Sequence, residues 1–290
     1  MRRVKAMAAL AFLAAPAWAH DTGQPHDEPP GWTLDPWIIV PLLFALLLFA
    51  TGWRRLARRS GRGRAPWGRR AWLFATGWLI LGIALVSPLH DAGERSFAAH
   101  MFEHELIMLV AAPLLVLAEP LPVMLWAFPA AGRRAIGSLV MAPVIAVPWR
   151  MVSAPVTATL VQATALWLWH APVLFDLALA HEGWHAAQHL SFLASALFFW
   201  SAMLGRHVAA GTAALCLVAT SIVSGALGAL MAFATSPWYV GYARLGLAPF
   251  GLTPAEDQQL AGLLMWVPGG VVHAAAALIV MRRLLRTADV

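Results

Sequence analysis

Several stretches of this chain are apolar and long enough to cross a lipid bilayer, and this constrains its fold more than any other feature. A membrane-spanning helix needs about 20 mostly apolar residues. We predict such helices over residues 36–53, 71–88, 99–118, 153–174, 185–204, 211–234 and 259–281. Only 12% of the residues are charged, against about 25% in a soluble domain. The sequence therefore predicts an all-α fold, a polytopic bundle of about seven transmembrane helices.

The first residues have the pattern of a secretory signal peptide. Basic residues at positions 2, 3 and 5 precede an apolar run and an Ala-x-Ala site that ends at Ala19. We therefore predict a cleavable signal peptide at 1–19, a periplasmic leader at 20–35 and a seven-helix transmembrane domain at 36–290.

The arginines indicate how the bundle is oriented. Cytoplasmic loops of membrane proteins are enriched in Lys and Arg. If residue 20 lies outside, every arginine after position 5 except Arg95 and Arg244 falls in a segment predicted to be inside. We expect a multi-pass protein of the bacterial inner membrane with the N-terminus outside and the C-terminus inside. The net charge of +6 then reflects topology and not a nucleic-acid partner. Residues 119–150 are apolar but broken by prolines, and within them we predict that 135–148 forms an interfacial or re-entrant piece on the inner side.

Histidines are concentrated where the predicted spans meet the outer face. His100 and His104 lie four residues apart, as do successive members of the set His181, His185 and His189, so each set shares one helix face. Ionisable side chains in a membrane are costly and commonly functional. The candidate metal ligands are His100, His104, His170, His181, His185, His189, Met265 and His273.

Simpler roles remain open for several of these residues. His100 and His104 could hydrogen-bond neighbouring helices, His181 could begin an amphipathic helix, and Met265 could serve packing alone. The spacing of Thr253 and Glu256 is that of a helix capping box. Because the chain has one cysteine, a soft-metal site must use histidine, methionine and carboxylate. That donor set favours copper, with haem held between histidines as the less favoured cofactor.

Four segments together resemble the CtaG-type cytochrome c oxidase assembly factors, over roughly residues 36–285. They are HMFEH at 100–104 running into LVAAPLL at 109–115, WLWHAP at 167–172, the segment 181–189, and DQQLAG to MWVPGG over 257–270. The resemblance implies a role in maturing a haem–copper oxidase, with copper supplied to the centre buried in its catalytic subunit.

We therefore expect a copper-binding assembly factor and not an enzyme, with its metal site facing the periplasm. Its expected partners are the lipid bilayer, the catalytic subunit of cytochrome c oxidase and a periplasmic copper carrier. Two alternatives stay open. One is a membrane oxidoreductase that binds haem b. The other is a copper or other metal transporter with a broken-helix site at His273 beside Pro268, Gly269 and Gly270.

Overall fold

A computed structural model describes residues 29–59, 64–205 and 208–288. The predicted signal peptide and the leader up to residue 28 lie outside the described residues. Within them the chain is helical and contains no strand, which confirms the all-α prediction.

The helices follow one another through short connections. They are α1 (Pro36–Arg59), α2 (Arg64–Val86), α3 (Pro88–Arg95), α4 (Phe97–Glu105), α5 (Ala112–Ala118), α6 (Pro120–Leu125), α7 (Ala130–Met141), α8 (Pro143–Val152), α9 (Pro155–Trp169), α10 (Pro172–Ala180), α11 (Glu182–Leu204), α12 (Ala210–Ala232), α13 (Val240–Leu245) and α14 (Pro254–Ala288). A π-helical segment, Leu106–Ala111, joins α4 to α5 without a break in the rod, and a 3₁₀ turn, Pro249–Gly251, precedes α14.

Six straight helices of the described chain are long and apolar enough to cross a membrane. They are α1, Gly68–Val86 within α2, the rod Phe97–Ala118, α11, α12 and α14 as far as Arg282. Two bent pairs, α7–α8 at 63° and α9–α10 at 73°, raise the number to as many as eight. The seven predicted spans correspond to the straight helices and α9–α10, while α7–α8 covers the proline-rich segment. The protein is thus a multi-pass membrane protein, and its orientation stays a prediction.

Close backbone contact joins α12 to α14, the pair with the most extensive packing in the described chain. A Cβ atom on Gly262 would lie 2.5 Å from the carbonyl oxygen of Gly228, which is too close for any side chain. Small residues of this kind let membrane helices approach each other. Although Pro268 lies inside α14, the helix continues through it and carries Met265 and His273 on one rigid element.

Polar caps fix the helix ends at one side of the bundle. The Ser87 hydroxyl accepts a hydrogen bond from Leu89 N at the start of α3, and the Ser96 hydroxyl accepts one from Ala99 N at the start of α4. The capping box predicted at the start of α14 is confirmed: Thr253 N donates to Glu256 Oε2 at 2.8 Å, and Glu256 N donates to the Thr253 hydroxyl at 3.3 Å.

Candidate metal centre

Five imidazole rings meet where α3, α4 and α11 pack together. His90 comes from α3, His100 and His104 from α4, and His185 and His189 from α11. The ring centroids lie 4.3 Å apart for His100 and His104, 4.9 Å for His104 and His189, and 5.2 Å for His90 and His185. Rings from three separate helices therefore form one continuous cluster.

Two overlapping groups in this cluster have the spacing of metal ligands. The ring nitrogens of His100, His185 and His189 lie within 4.8 Å of one another. The same holds for His90, His189 and a carboxylate oxygen of Glu103. Three imidazoles, or two imidazoles and a carboxylate, are established ligand sets for transition metals. His189 belongs to both groups, so it is the residue on which either arrangement depends.

Burial leaves several polar atoms of the cluster without a partner. His100, Glu103 and His104 are each no more than 1% exposed. Neither ring nitrogen of His100 or His104, nor Oε2 of Glu103, makes a hydrogen bond within the described part of the chain. An unsatisfied buried polar atom costs about 1–3 kcal/mol, so such a concentration needs an explanation. A bound cation would take one ring nitrogen from each histidine that ligates it and would offset the charge of Glu103.

Glu103 links His90 to His189 through one carboxylate oxygen. Nδ1 of His90 donates to Oε1 of Glu103 at 2.8 Å, and the same oxygen lies 3.6 Å from Nδ1 of His189. Burial alone would lower the pKa of His90, but the hydrogen bond and charge of Glu103 outweigh it, and the acids on α3 add to their effect, so the pKa is raised. A carboxylate bonded to an imidazole is a common way to orient a metal-binding histidine.

The start of α4 is held by a carboxylate from the far end of the chain. Asp257, buried on α14, accepts hydrogen bonds from the Ser96 hydroxyl at 2.8 Å, from Phe97 N at 2.6 Å and from Ala98 N at 3.3 Å. A negative charge here also complements the helix dipole. Because α4 carries His100, Glu103 and His104, Asp257 positions half of the cluster without touching it.

His170 lies beside the cluster in a different pairing. Its Nδ1 must donate to the carbonyl oxygen of Leu166, at 2.6 Å, because a carbonyl only accepts. In the neutral ring this leaves Nε2 as an acceptor, and it lies 3.3 Å from the sulfur of Met101. His170 and Met101 therefore form a buried nitrogen–sulfur pair, which is a donor combination suited to a soft metal.

The remaining predicted ligands lie elsewhere. His181 is exposed at the N-cap of α11, in extended backbone, and belongs to neither ligand group. Met265 and His273 line a separate, deeper cavity. Conversely, His90 and Glu103 join the cluster although they were not predicted as ligands. Two signals were available: His90 follows the predicted span 71–88 by two residues, and Glu103 lies between His100 and His104.

One family model matches the chain over most of its length. The family model for the cytochrome c oxidase caa3 assembly factor, Caa3_CtaG, matches residues 47–287, which is most of the chain and includes all five clustered histidines. Neither a curated protein nor a solved structure matches the chain.

Proposed function

The chain belongs to the cytochrome c oxidase caa3 assembly factor family, and from this premise we propose that it binds a copper ion at the histidine cluster and supports delivery of that ion to the oxidase. The observation that carries the proposal is the convergence of His100, His185 and His189 at ligand distances. Imidazole is a good ligand for copper. The ion is cargo, so the protein acts by binding and release and not as an enzyme.

The donor set suits a carrier. The cluster offers imidazoles and a carboxylate, whereas the single cysteine, Cys216, lies in α12 and is not among the ligand groups. Thiolate would hold copper more tightly than nitrogen and oxygen donors do. Without it, the ion is held weakly enough to be passed on.

The depth of the cluster supports transfer to a buried acceptor. His104 and His189 each lie seven residues from the start of their spans, Phe97–Ala118 and Glu182–Leu204. At 1.5 Å per residue this is about 10 Å along the helix axis. The copper centre expected in the catalytic subunit is itself buried, so a donor that holds its ion below the membrane surface can present it at a similar level.

Charge and topology suggest how the ion arrives. Asp91 and Glu94 on α3 lie close enough to His90 to contribute to its raised pKa, and such acids attract cations. The arginine distribution predicts that this end of the bundle faces the periplasm at a bacterial inner membrane. A periplasmic copper carrier would then load the cluster, and the oxidase catalytic subunit would unload it.

The test is copper stoichiometry in matched histidine variants. The full chain is purified in detergent without oxygen, loaded with Cu(I), and assayed for copper per protein by elemental analysis. We expect His189→Ala to lose one equivalent of copper and His104→Ala to bind it less completely. His181→Ala is the matched control, because it removes an exposed histidine at the start of the same helix, and it should retain all copper.

The same variants are then placed in cells that lack the wild-type gene. Oxidase copper content and activity should fall for His189→Ala and His104→Ala and stay normal for His181→Ala, with equal membrane insertion throughout. Full copper occupancy in His189→Ala would refute the ligand assignment. A Soret band in the purified wild type without bound copper would instead support the haem alternative.

A further inference from the structure

A second group of donor atoms surrounds a small cavity deeper in the bundle. The cavity has a volume of about 20 Å³ and lies between the rod Phe97–Ala118, α9, α12 and α14. This volume is enough for about one water molecule or one ion. Its lining includes Glu105, Met108, Gln162, Met265 and His273. The hydroxyls of Thr220 and Ser224 also line it, and they donate to backbone carbonyls of α12. Glu105 and Met108 follow His104 by one and four residues on the same rod, so the cavity lies next to the histidine cluster on its deeper side.

Three polar atoms of these lining residues lack a partner. Oε2 of Glu105, Oε1 of Gln162 and Nε2 of His273 are buried and make no hydrogen bond to any described residue. His273 is 3% exposed and Gln162 is 6% exposed, so water outside the bundle does not reach them. Three acceptor atoms without a protein partner, from three helices around one cavity, mark a place that suits a bound water or ion.

The His273 ring is held in an orientation that leaves one nitrogen available as a ligand. Its Nδ1 donates to the carbonyl oxygen of Gly269 at 2.7 Å, which leaves Nε2 of the neutral ring as a free electron-pair donor. The ring stacks on Trp200, with centroids 5.7 Å apart and planes 9° apart. Trp200 in turn donates from Nε1 to the carbonyl oxygen of Met108 at 2.8 Å. The orientation of His273 is therefore fixed by both hydrogen bonding and packing.

The other donors are soft or anionic. Met108 and Met265 supply two thioether sulfurs, and Gln162 Nε2 donates weakly to the Met108 sulfur at 3.8 Å. The Glu105 carboxylate lies against Gly269, where an added Cβ would be 3.7 Å away. Met108 also belongs to the π-helical segment, a feature often found at functional sites. Thioether and imidazole select Cu(I), and a carboxylate would balance its charge.

We infer that this cavity is a second metal site, which takes one Cu(I) ion through the sulfurs of Met108 and Met265, Nε2 of His273 and the carboxylate of Glu105. The inference rests on the proposed function, since it treats copper as the cargo. It adds a sulfur-containing site below the nitrogen–oxygen cluster. His104 and Met108, on adjacent turns of one helix, connect the two.

Copper K-edge X-ray absorption of the full chain, loaded with Cu(I) without oxygen, distinguishes the two sites. The wild type should bind two equivalents and show a sulfur shell. Met265→Leu and Met108→Leu should each lose one equivalent and the sulfur shell, while the nitrogen and oxygen scattering remains. Methionine to leucine nearly conserves volume, so both variants should fold. Met203→Leu, at a buried methionine of α11 that does not line the cavity, is the control and should match the wild type.

The copper content and sulfur shell of His189→Ala and Met265→Leu show which of the two sites binds copper. If His189→Ala loses one equivalent and keeps the sulfur shell, both hold. If His189→Ala keeps all copper while Met265→Leu loses the sulfur shell, the histidine cluster fails and the cavity site stands. A wild type with one equivalent and no sulfur shell would overturn the inference, leaving the cavity to water. A sulfur shell lost only in Met101→Leu would also overturn it, because the sulfur would then come from the Met101–His170 pair.

Discussion

The contact between Asp257 and the start of α4 orders the helix that carries His100 and His104, so removing it should weaken metal binding. We consider Asp257→Asn, which keeps the shape of the side chain but removes its charge and one acceptor oxygen. An amide group would then face Ser96, Phe97 or Ala98, all of which donate to the carboxylate in the native protein. The substitution should therefore loosen the first turn of α4.

The magnitude can be worked out from the bonds that are lost. A hydrogen bond to a charged group contributes about 1.5–3 kcal/mol, and a charge at a helix N-terminus adds about 0.3–1 kcal/mol. We expect a loss of about 3 kcal/mol in the free energy of unfolding. In the variant, metal binding would have to restore the order of α4. The loss of binding free energy is therefore at most about 3 kcal/mol, which corresponds to about 100-fold in affinity at 1.4 kcal/mol per tenfold change. We expect Cu(I) affinity to fall by about 10- to 100-fold.

The assay is a competition titration of Cu(I) against a chelator, together with denaturant unfolding followed by circular dichroism. Glu256→Gln is the matched control, because this neighbouring acid caps α14 itself through Thr253 and is not among the acceptors at the start of α4. Ser96→Ala removes a single bond to Asp257, along with its own cap, and should have a smaller effect if Asp257→Asn does not fold. Wild-type affinity in Asp257→Asn, or an equal loss in Glu256→Gln, would refute the argument.

Three further predictions concern the frame around the cluster. Gly262→Ala should lower the free energy of unfolding by about 1–3 kcal/mol, because its Cβ would overlap the facing helix, whereas Gly82→Ala, with nothing within 4 Å, should not. Tyr242→Phe should cost about 1 kcal/mol in the same assay, because the tyrosine hydroxyl donates to the carbonyl oxygen of Gly93 on α3 at 2.5 Å. In metal-free protein, the stabilisation from protonated His90 is complete below its ordinary pKa of 6.5 and is lost as the pH rises through the raised value. Unfolding midpoints measured across that window should fall with pH in the wild type and fall less in His90→Gln.

The fold could be predicted because its main signal is local. Apolar length alone predicts the six straight spans to within six residues at each end. The proline-rich segment was harder, because prolines both begin short helices and interrupt long ones. Glu119, for example, takes a left-handed conformation at φ 46° between α5 and α6, and no periodicity predicts this.

The four-residue spacing of the histidines was a good guide only inside a helix. His185 and His189 both enter the cluster, as their spacing suggests. His181 continues the same spacing, but α11 begins at Glu182 and leaves His181 in extended backbone at φ −142° and ψ 118°. The helical face therefore ends one residue short of His181. A histidine that precedes a predicted span by one helical turn is therefore weak evidence for a ligand.

The π-helical segment shows a second limit of helical spacing. The row of His100, His104 and Met108 predicts one continuous face. Because Leu106–Ala111 adopts i→i+5 bonding, its turn holds an additional residue and rotates the part of the helix beyond it. His104 stays with the cluster while Met108 lines the deeper cavity. Nothing in the apolar sequence of this segment distinguishes a π turn from an α turn.

The adjacency of the helices depends on contacts between residues that are far apart in sequence. Asp257 and Phe97 are 160 residues apart, yet their hydrogen bond aligns α14 with α4. That alignment brings His273 and Met265 beside the same rod that carries His104. One buried carboxylate thus contributes to the alignment of the two helices that carry residues of the histidine cluster and of the deeper cavity. A sequence pattern identifies Asp257 only as part of a helix start; its role appears once the partner helix is known.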